Sequence, residues 1–522
     1  MSELWARSAT ELAAAIAAGE ASSVDVVWAH IARIEAVDAA LHAIVVRRYD
    51  LALAEARIAD ERHARGDDAG PLSGVPVTIK DSQDVAGLPS TYGLPSRAND
   101  VAPRDDPYVA ALRGAGAIVL GKTNVPQLLI YIEADNPLYG RTNNPWNLAR
   151  TCGGSSGGEG AIIAAGGSPL GLGTDIGGSL RVPAAFCGVM SLKPTAGRLD
   201  DPTRLAIYRG QRAIVSQAGP LARSVADLAL ALELANANAG SEFAPAQPLR
   251  DRGHVDVRAL RIGYYEHAGS FAASPALARA TREAASALAA MGARVVPFEP
   301  PRVDDAMDIF FGVLAADRAR GATEALGGDP RDPRIAELIG IASKPRRSVA
   351  LIERLLRLGG QPGFARIVRN YGHADTYHYW KLVEAQQAYR ALFARALDGA
   401  KGGPLDLIVG PPVGLPALLH GTSADIVTAG AYAPLYNVLG YPAGTLPFSR
   451  VAAAEETARK RTRDRIARAA YDCERGSAGL PVAVQLVGRP WREDVVLAAM
   501  AALEPVARAR DDFPLTPVEP AA

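Results

Sequence analysis

Two serine-bearing, glycine-rich turns lie close together between residues 151 and 181, and they hold the residue types that acyl transfer needs. The turns contain Gly153–Gly158, with Ser155 and Ser156, and then Gly177, Gly178 and Ser179. Glycine tolerates positive φ and lets backbone N–H groups come close to a ligand. A serine beside such N–H groups combines a nucleophile with donors for a developing oxyanion. Two purely structural turns are the alternative interpretation.

A serine nucleophile needs a base, and no histidine downstream of these turns lies in a recognisable motif. The candidate base is Lys80, because it ends a predicted strand in which Val75, Val77 and Ile79 alternate. Lysine accepts a proton only when it is uncharged, and its ordinary pKa is about 10.4. Burial in apolar surroundings can lower that pKa by several units. A surface lysine at a strand end is the alternative.

Two further motif matches favour other chemistry, and we reject both. A GxxxxGKT match at 116–123 has a β-like interior, so its amides are expected to serve a sheet rather than a phosphate. A GxSxG match at 154–158 would make Ser156 the nucleophile, but the polar, proline-bearing stretch 145–151 does not predict the preceding strand. The sequence has no HExxH and no His/Cys/carboxylate cluster, so no metal site is predicted.

Composition restricts the class of protein. The chain has 522 residues, of which 48% are hydrophobic, and Lys+Arg and Asp+Glu each number 56. A net charge of zero argues against a nucleic-acid partner bound by bulk electrostatics. The three cysteines are unclustered, the N-terminus lacks a signal-peptide pattern, and no apolar run reaches the ~18 residues of a membrane span. We therefore expect a cytoplasmic protein.

Helical and strand patterns alternate along the chain, which predicts an α/β fold with a central mixed, mainly parallel, twisted sheet flanked by helices on both faces. We expect one domain over 1–522. Its parts are N-terminal helices at 1–70, a core with the candidate residues at 71–240, and a C-terminal part at 241–522 whose region 303–400 is helical. The apolar stretch LLIYI at 128–132 is strand-like, and the charged segment 452–475 predicts a surface helix.

Several of these segments together resemble the amidase signature family. They are Lys80, the loop 153–158, GTDIGGSLR at 173–181, GKTNVPQ at 121–127, Tyr436-Asn437 with PAG at 442–444, and GLPVAVQLVGRPW at 479–491. Lys80 precedes Ser155 by 75 residues, and Ser155 precedes Ser179 by 24. Within the family, Glu159 and the run SPLGLGTDIGGSLR resemble the fatty acid amide hydrolase-like amidases, although the chain lacks an N-terminal membrane-spanning pattern.

The resemblance implies a role for each matched residue. Ser179 would be the nucleophile that forms an acyl-enzyme, and Ser155, after a cis peptide, would pass protons between Ser179 and Lys80. The oxyanion would be bound by the N–H groups of Ile176, Gly177, Gly178 and Ser179. Leu129 aligns with an acyl-pocket position, although core packing would equally explain a leucine. The resemblance also implies a small-molecule amide substrate, no cofactor and a homodimer, and we expect a structural ion pair between Asp175 and Arg181.

The segment 340–370 is basic and amphipathic, with seven Lys and Arg residues against one acid, Glu353. Such a helix can lie on a membrane surface or cap an apolar pocket; a solvated charged face over ordinary core is the alternative. Two other functions stay open. One is a partner-dependent component resembling the A chain of glutamyl-tRNA amidotransferase. The other is a membrane-recruited binding protein with a vestigial site.

Overall fold

Eleven strands form one mixed sheet at the centre of the protein, flanked by helices. The computed structural model describes residues 4–67, 70–200, 205, 207–208, 210–237, 239, 247–426, 431–456 and 459–521. The sheet order is β1-β3-β2-β8-β10-β9-β14-β15-β13-β11-β12, and β4–β5 and β6–β7 form two small hairpins. The strands are β1 (Ile44–Arg47), β2 (Pro76–Lys80), β3 (Ile118–Thr123), β4 (Asp135–Asn136), β5 (Gly140–Arg141), β6 (Asn143–Asn144), β7 (Asn147–Thr151), β8 (Leu170–Asp175), β9 (Met190–Lys193), β10 (Gln217–Ala222), β11 (Arg261–Tyr264), β12 (Arg294–Pro297), β13 (Leu407–Gly410), β14 (Ala443–Arg450) and β15 (Pro481–Gly488).

The mixed α/β sheet is confirmed, but its pairings are not mainly parallel. Parallel pairs are confined to β2 with its two neighbours and to β11 with its two neighbours. The central strands β8, β10, β9, β14, β15 and β13 pair antiparallel in that order, as do β1 and β3. Alternation of strands and helices indicates parallel pairing only for strands joined by a crossover, and it does not reveal which strands become neighbours.

Seventeen α-helices accompany the sheet, and the region 303–400 is largely helical, as expected. The helices are α1 (Ala9–Ala17), α2 (Ser23–Leu41), α3 (Tyr49–Ala64), α4 (Pro107–Gly114), α5 (Gly157–Ala164), α6 (Arg181–Cys187), α7 (Val225–Ala237), α8 (Pro275–Ala290), α9 (Val303–Leu314), α10 (Arg320–Leu326), α11 (Pro333–Ala342), α12 (Arg346–Leu358), α13 (Pro362–Val368), α14 (Thr376–Asp398), α15 (Pro434–Leu439), α16 (Arg465–Glu474) and α17 (Glu493–Arg508). This count covers the described ranges only.

The N-terminal part is helical, as predicted, with one added strand. Ser22 caps α2 through a capping box with Asp25, which satisfies free N–H groups of the first turn. The strand β1 lies between α2 and α3 in the chain and pairs with β3 at one edge of the sheet. With only four residues, it was too short for a periodic signal between two Ala-rich helices.

The basic segment forms α12 and α13 on the outside of the protein. Val349 is fully buried, whereas Leu351, Leu355 and Leu358 are 58%, 58% and 77% exposed. The apolar side chains of α12 are therefore divided between the core and the surface. Within the part of the chain that the structure describes, no helix is both long enough and apolar enough to cross a membrane.

Candidate active site

Lys80 lies at the carboxyl end of β2 and is fully buried. Its Nζ donates to Ser155 Oγ at 2.8 Å and to Thr174 Oγ1 at 2.8 Å. Because β2 and β8 are parallel neighbours, their carboxyl ends bring Lys80 and Thr174 to the same edge of the sheet. The predicted strand with its terminal lysine is confirmed, and the surface-lysine alternative is wrong.

The first serine-bearing loop places its two serines in different environments. Ser155 follows a cis peptide bond after Gly154, as the resemblance implied, and is bonded to Lys80. Ser156 is fully buried, and its Oγ lies 3.3 Å from both the backbone O and N of Thr174. The short strand β7 does precede this loop, contrary to expectation, but it pairs with β6 outside the central sheet. Its polar composition, typical of a loop, concealed the hairpin.

Ser179 lies between β8 and α6, and its side chain borders a cavity. Its backbone O accepts a hydrogen bond from the Ser156 N–H at 3.1 Å, which ties the two serine-bearing loops together. The Ser179 Oγ bonds to no described residue, and the residue is 8% exposed. The structure therefore joins Lys80 to Ser155 directly and leaves the Ser179 hydroxyl facing the cavity.

The backbone N–H groups of the glycine turn at Ser179 fall into two kinds, one bonded to a carboxylate and others that bond to no acceptor among the described residues. Gly178 has φ of +115°, which L side chains rarely adopt, and its N–H donates to Asp175 Oδ1 at 2.8 Å. The N–H of Gly178, which was expected to bind an oxyanion, is thus bonded to a carboxylate in the structure. The N–H groups of Gly177 and Ser179 bond to no acceptor among the described residues, and Ile176 and Gly177 line the cavity.

A buried ion pair between Asp175 and Arg181 lies next to this turn, as expected. Arg181 and Asp175 are both fully buried, with a shortest N–O separation of 3.0 Å. Burial alone would raise the pKa of Asp175, but the Arg181 guanidinium outweighs it and holds that pKa well below its usual range. Arg181 also donates to Asn437 Oδ1 at 2.6 Å and to Gln485 Oε1 at 2.9 Å. Two C-terminal segments matched by resemblance thus hold the turn that carries Ser179, a role that sequence reasoning missed.

Ser179 opens onto a cavity of about 200 Å³. None of the described residues that line it is a histidine. Its walls are mostly apolar: Leu129, Ile130, Ile132, Ile176, Phe310, Phe311, Leu314, Leu338, Ile341, Phe364 and Ile367, with Tyr131, Tyr208, Tyr371, Glu337 and Ser423 among the polar members. Such a cavity suits an apolar group held next to the serine hydroxyl.

The segment around Leu129 forms one cavity wall, but it is not the strand that its composition predicted. A short 3-10 helix covers Gln127–Leu129, and φ is positive at Leu128 (56°), Leu129 (59°) and Tyr131 (73°). Successive side chains therefore do not alternate across a sheet. Leu129, Ile130 and Ile132 line the cavity and Leu128 packs into the core, so hydrophobicity alone gave the wrong element.

Arg465 joins three segments that border the cavity. Its guanidinium bonds the two carboxylate oxygens of Glu337 at 2.7 and 3.1 Å, also binds the Asp425 carboxylate, and lies 5.1 Å from the ring centroid of Phe364. The hydrogen bond to Arg465 lowers the pKa of Glu337 below its ordinary value, so this carboxylate is charged at neutral pH.

Arg465 belongs to the charged segment 452–475, for which a surface helix was expected. The helix α16 covers only its last part, and residues 457–458 lie outside the described residues. Several positions of α16 are buried, including Ile466, Ala470 and Cys473. Among the described residues, no group of three or more His, Cys, Asp or Glu side chains could hold a metal ion.

Comparisons with known proteins found a matching family model, similar sequences and a similar fold. The family model described as Amidase matches residues 25–497. Fatty-acid amide hydrolase 1 from Sus scrofa is 36% identical over 451 residues, covering 83% of this chain and 76% of the relative. The A-type component of glutamyl-tRNA(Gln) amidotransferase from Carboxydothermus hydrogenoformans is 30% identical over 517 residues, covering 96% of this chain and 97% of the relative. A solved structure of fatty acid amide hydrolase superposes with a TM-score of 0.81 at 26% identity, over 96% of this chain and 85% of the other.

Proposed function

Since the chain belongs to the amidase signature family and is an amide hydrolase, we propose that it cleaves carboxylic amides with apolar acyl or aryl groups through an acyl-enzyme on Ser179. Esters and carbamates are expected side substrates. One observation carries the proposal: the Ser179 hydroxyl faces an apolar cavity beside a buried Lys80–Ser155 hydrogen bond.

In the proposed reaction, Ser179 Oγ attacks the amide carbonyl carbon while its proton passes to Ser155 Oγ. Ser155 in turn gives its own proton to the uncharged amine of Lys80. The carbonyl becomes a tetrahedral oxyanion, and the proton returns through Ser155 to the leaving nitrogen as the C–N bond breaks. Water then attacks the carbonyl carbon of the Ser179 ester while its proton passes through Ser155 to Lys80. That proton returns through Ser155 to Ser179 Oγ as the serine leaves, which releases the acid.

The oxyanion needs hydrogen-bond donors that no other group occupies. We propose the N–H groups of Ile176, Gly177 and Ser179, and we leave out Gly178, because its N–H is bonded to Asp175. Amides already fixed in position stabilise a developing charge without reorganising at the moment of reaction. The buried Asp175–Arg181 ion pair helps to fix the position of these amides.

The apolar cavity predicts a dependence on acyl chain length. Each added CH₂ is expected to raise kcat/KM about fourfold, because burying a methylene group contributes about 0.8 kcal/mol, until the cavity is full. The measurement is kcat/KM for a series of linear acyl p-nitroanilides, from acetyl to dodecanoyl. Values that stay flat or fall from the shortest substrate onward would contradict an apolar acyl site.

A matched pair of variants separates the cavity from the protein surface. Ile341→Asp introduces a carboxylate into the cavity wall and is expected to lower kcat/KM for the longest good substrate by about tenfold or more. The acetyl substrate should lose much less. Leu351→Asp, on the exposed face of the neighbouring helix, should leave the series unchanged.

Peripheral membrane contact through 340–370 is the second part of the proposal, because α12 exposes Leu351, Leu355 and Leu358 beside basic residues. The double variant Leu355→Glu/Leu358→Glu is expected to lower binding to phosphatidylserine-containing vesicles by at least about tenfold, since two leucines that would be buried in the bilayer are replaced by charged residues. Co-sedimentation measures it. The control is Leu51→Glu/Ile58→Glu, which alters two other exposed apolar side chains, on α3. An equal loss of vesicle binding in both variants would mean that α12 is not the specific site of membrane contact.

Two other functions make different predictions. A partner-dependent role in amide transfer is suggested by the amidotransferase relative, and such a protein would show little turnover of simple amides as a purified chain. A membrane-recruited protein with a vestigial site would bind vesicles without turnover. Steady turnover by the isolated chain argues against both. The homodimer stays a prediction, which light scattering of the purified chain tests.

A further inference from the structure

Glu159 is a fully buried carboxyl group in the first turn of α5, and the proposed reaction does not use it. Thr78 Oγ1 donates to Glu159 Oε2 at 2.7 Å, and Thr123 Oγ1 donates to Oε1 at 2.9 Å. Both carboxyl oxygens are therefore bonded to neutral hydroxyl groups. A buried carboxyl group held in this way keeps a fixed position under the serine-bearing loop.

The two threonines place this carboxyl group next to the proposed base. Thr78 precedes Lys80 by two residues on β2, so both side chains lie on the same face of the sheet. Thr123 is the register partner of Lys80 in β3. The charge of Lys80 acts electrostatically on Glu159.

The sheet also leaves room for this carboxyl group. Gly171 of β8 is the register partner of Thr78, and a Cβ at this position would lie 1.9 Å from Glu159 Oε2. No side chain larger than hydrogen fits there while Glu159 keeps its place. Two hydroxyl donors and one missing side chain on three adjacent strands thus form a position built for Glu159.

The surroundings of Glu159 decide its charge. β2 presents Thr78 and Lys80 towards it, β3 presents Thr123, and β8 presents Gly171; among the described residues, Lys80 is the ionisable side chain whose positive charge lowers the pKa of Glu159. Burial raises the pKa of Glu159 to about 8, although the two hydroxyl groups and Lys80 work in the opposite direction. The carboxyl group is therefore mostly neutral at pH 7, and in that form its own O–H donates to one of the two threonine hydroxyl oxygens while the other threonine still donates to it.

We propose that Glu159 is a positioning residue that sets the charge of Lys80. As a neutral carboxyl group it leaves Lys80 able to accept the proton of Ser155, and as a carboxylate it favours the ammonium form, which cannot. An anion close to a lysine stabilises the charged lysine. Ionisation of Glu159 at alkaline pH therefore limits how far kcat/KM rises as Lys80 loses its proton. This inference rests on the proposed role of Lys80 as the base.

The test is the pH dependence of Glu159→Gln, which keeps the shape of the side chain and cannot ionise. The rise of kcat/KM with pH, and the rise of the rate of Ser179 labelling by a fluorophosphonate, should have midpoints about one pH unit lower than in the wild type. Glu474→Gln is the control, because Glu474 is also a buried carboxyl group with a pKa raised by burial, but its charged partner is Arg459. Its midpoints should equal those of the wild type.

Stability gives a second measurement that does not depend on turnover. A pKa higher in the folded than in the unfolded chain means that the folded state binds more protons between the two values, so the free energy of unfolding falls as pH rises there. Glu159→Gln lacks this contribution. The Tm of the wild type relative to that of the variant should therefore fall between pH 5 and pH 8. A constant difference would mean that Glu159 is a carboxylate throughout, and the proposal would be overturned.

If Glu159→Gln does not fold, the same pH dependence can be measured on the variant Thr78→Val. It removes one donor that stabilises the carboxylate, so Glu159 stays neutral to higher pH and the midpoints should shift in the same direction by a smaller amount. Unshifted midpoints in the folded variants, with Ser179→Ala inactive, overturn this inference alone. Full activity in Ser179→Ala overturns the proposed function itself, whatever the Glu159 variants do.

Discussion

Replacing Ser179 by alanine is expected to lower kcat for amides by at least about 10³-fold, because the acyl-enzyme can no longer form. Fluorophosphonate labelling should disappear with it, since these reagents react with an activated serine. Peptide mapping of the labelled wild-type protein identifies the reacting residue, which we expect to be Ser179. The Ser179 side chain is small and borders a cavity, so the fold should tolerate this change.

Ser156→Ala is the matched control, because Ser156 lies in the neighbouring loop and its Oγ bonds only to the backbone of Thr174 among the described residues. This variant should keep its label and lose about 1 kcal/mol of stability from the missing hydrogen bond. An adduct mapped to Ser156, with Ser179→Ala still labelled, would show that the GxSxG interpretation was right and that Lys80 is a bystander.

Replacing Lys80 by methionine is expected to lower kcat/KM by about 10²- to 10⁴-fold, the usual contribution of a general base. Methionine fills much of the space of the buried side chain, but it cannot bond Ser155 or Thr174. The label on Ser179 should form correspondingly slowly. Stopped assays of labelling rate at several pH values measure the effect without any assumption about the substrate.

The control for Lys80→Met is Lys122→Met. Lys122 is also a fully buried lysine on the neighbouring strand, where it donates to Pro89 O at 2.6 Å and Ser90 Oγ at 2.7 Å. Both variants are expected to lose stability, since each leaves buried acceptors unsatisfied. Only Lys80→Met should lose the label. Equal losses of labelling in the two variants would reduce Lys80 to a structural residue.

The chemistry-bearing part of the chain was predictable because its signals are local. Lys80 ends a strand with clear alternation, and the two serines lie in glycine turns at fixed spacing, so their elements could be placed from the sequence. The directions of the strands could not. Whether β8 pairs with β2 or with β10 depends on contacts between segments far apart in the chain, and strand composition is the same for either partner.

The walls of the cavity were harder to predict for another physical reason. The stretch around Leu129 is as apolar as a buried strand, but the wall of an apolar cavity has the same composition as a core. The positive φ angles of this stretch could not be predicted either, because leucine and tyrosine do not indicate such angles. Gly178 posed the opposite problem. A glycine at a turn is easily seen, but the bond from its N–H to Asp175 depends on how that carboxylate is held by Arg181.

The junction at Arg465 has a consequence for how this enzyme could diversify. The proposed reacting groups belong to strand ends and the two short loops, while much of the cavity wall comes from α9, α11 and α13, and one guanidinium from a distant segment joins α11 to α13. Chemistry and selectivity are therefore encoded in separate parts of the chain. If the proposed roles hold, exchanging helices or repositioning this one cation gives the enzyme a new range of acyl groups while the proposed proton relay is inherited unaltered.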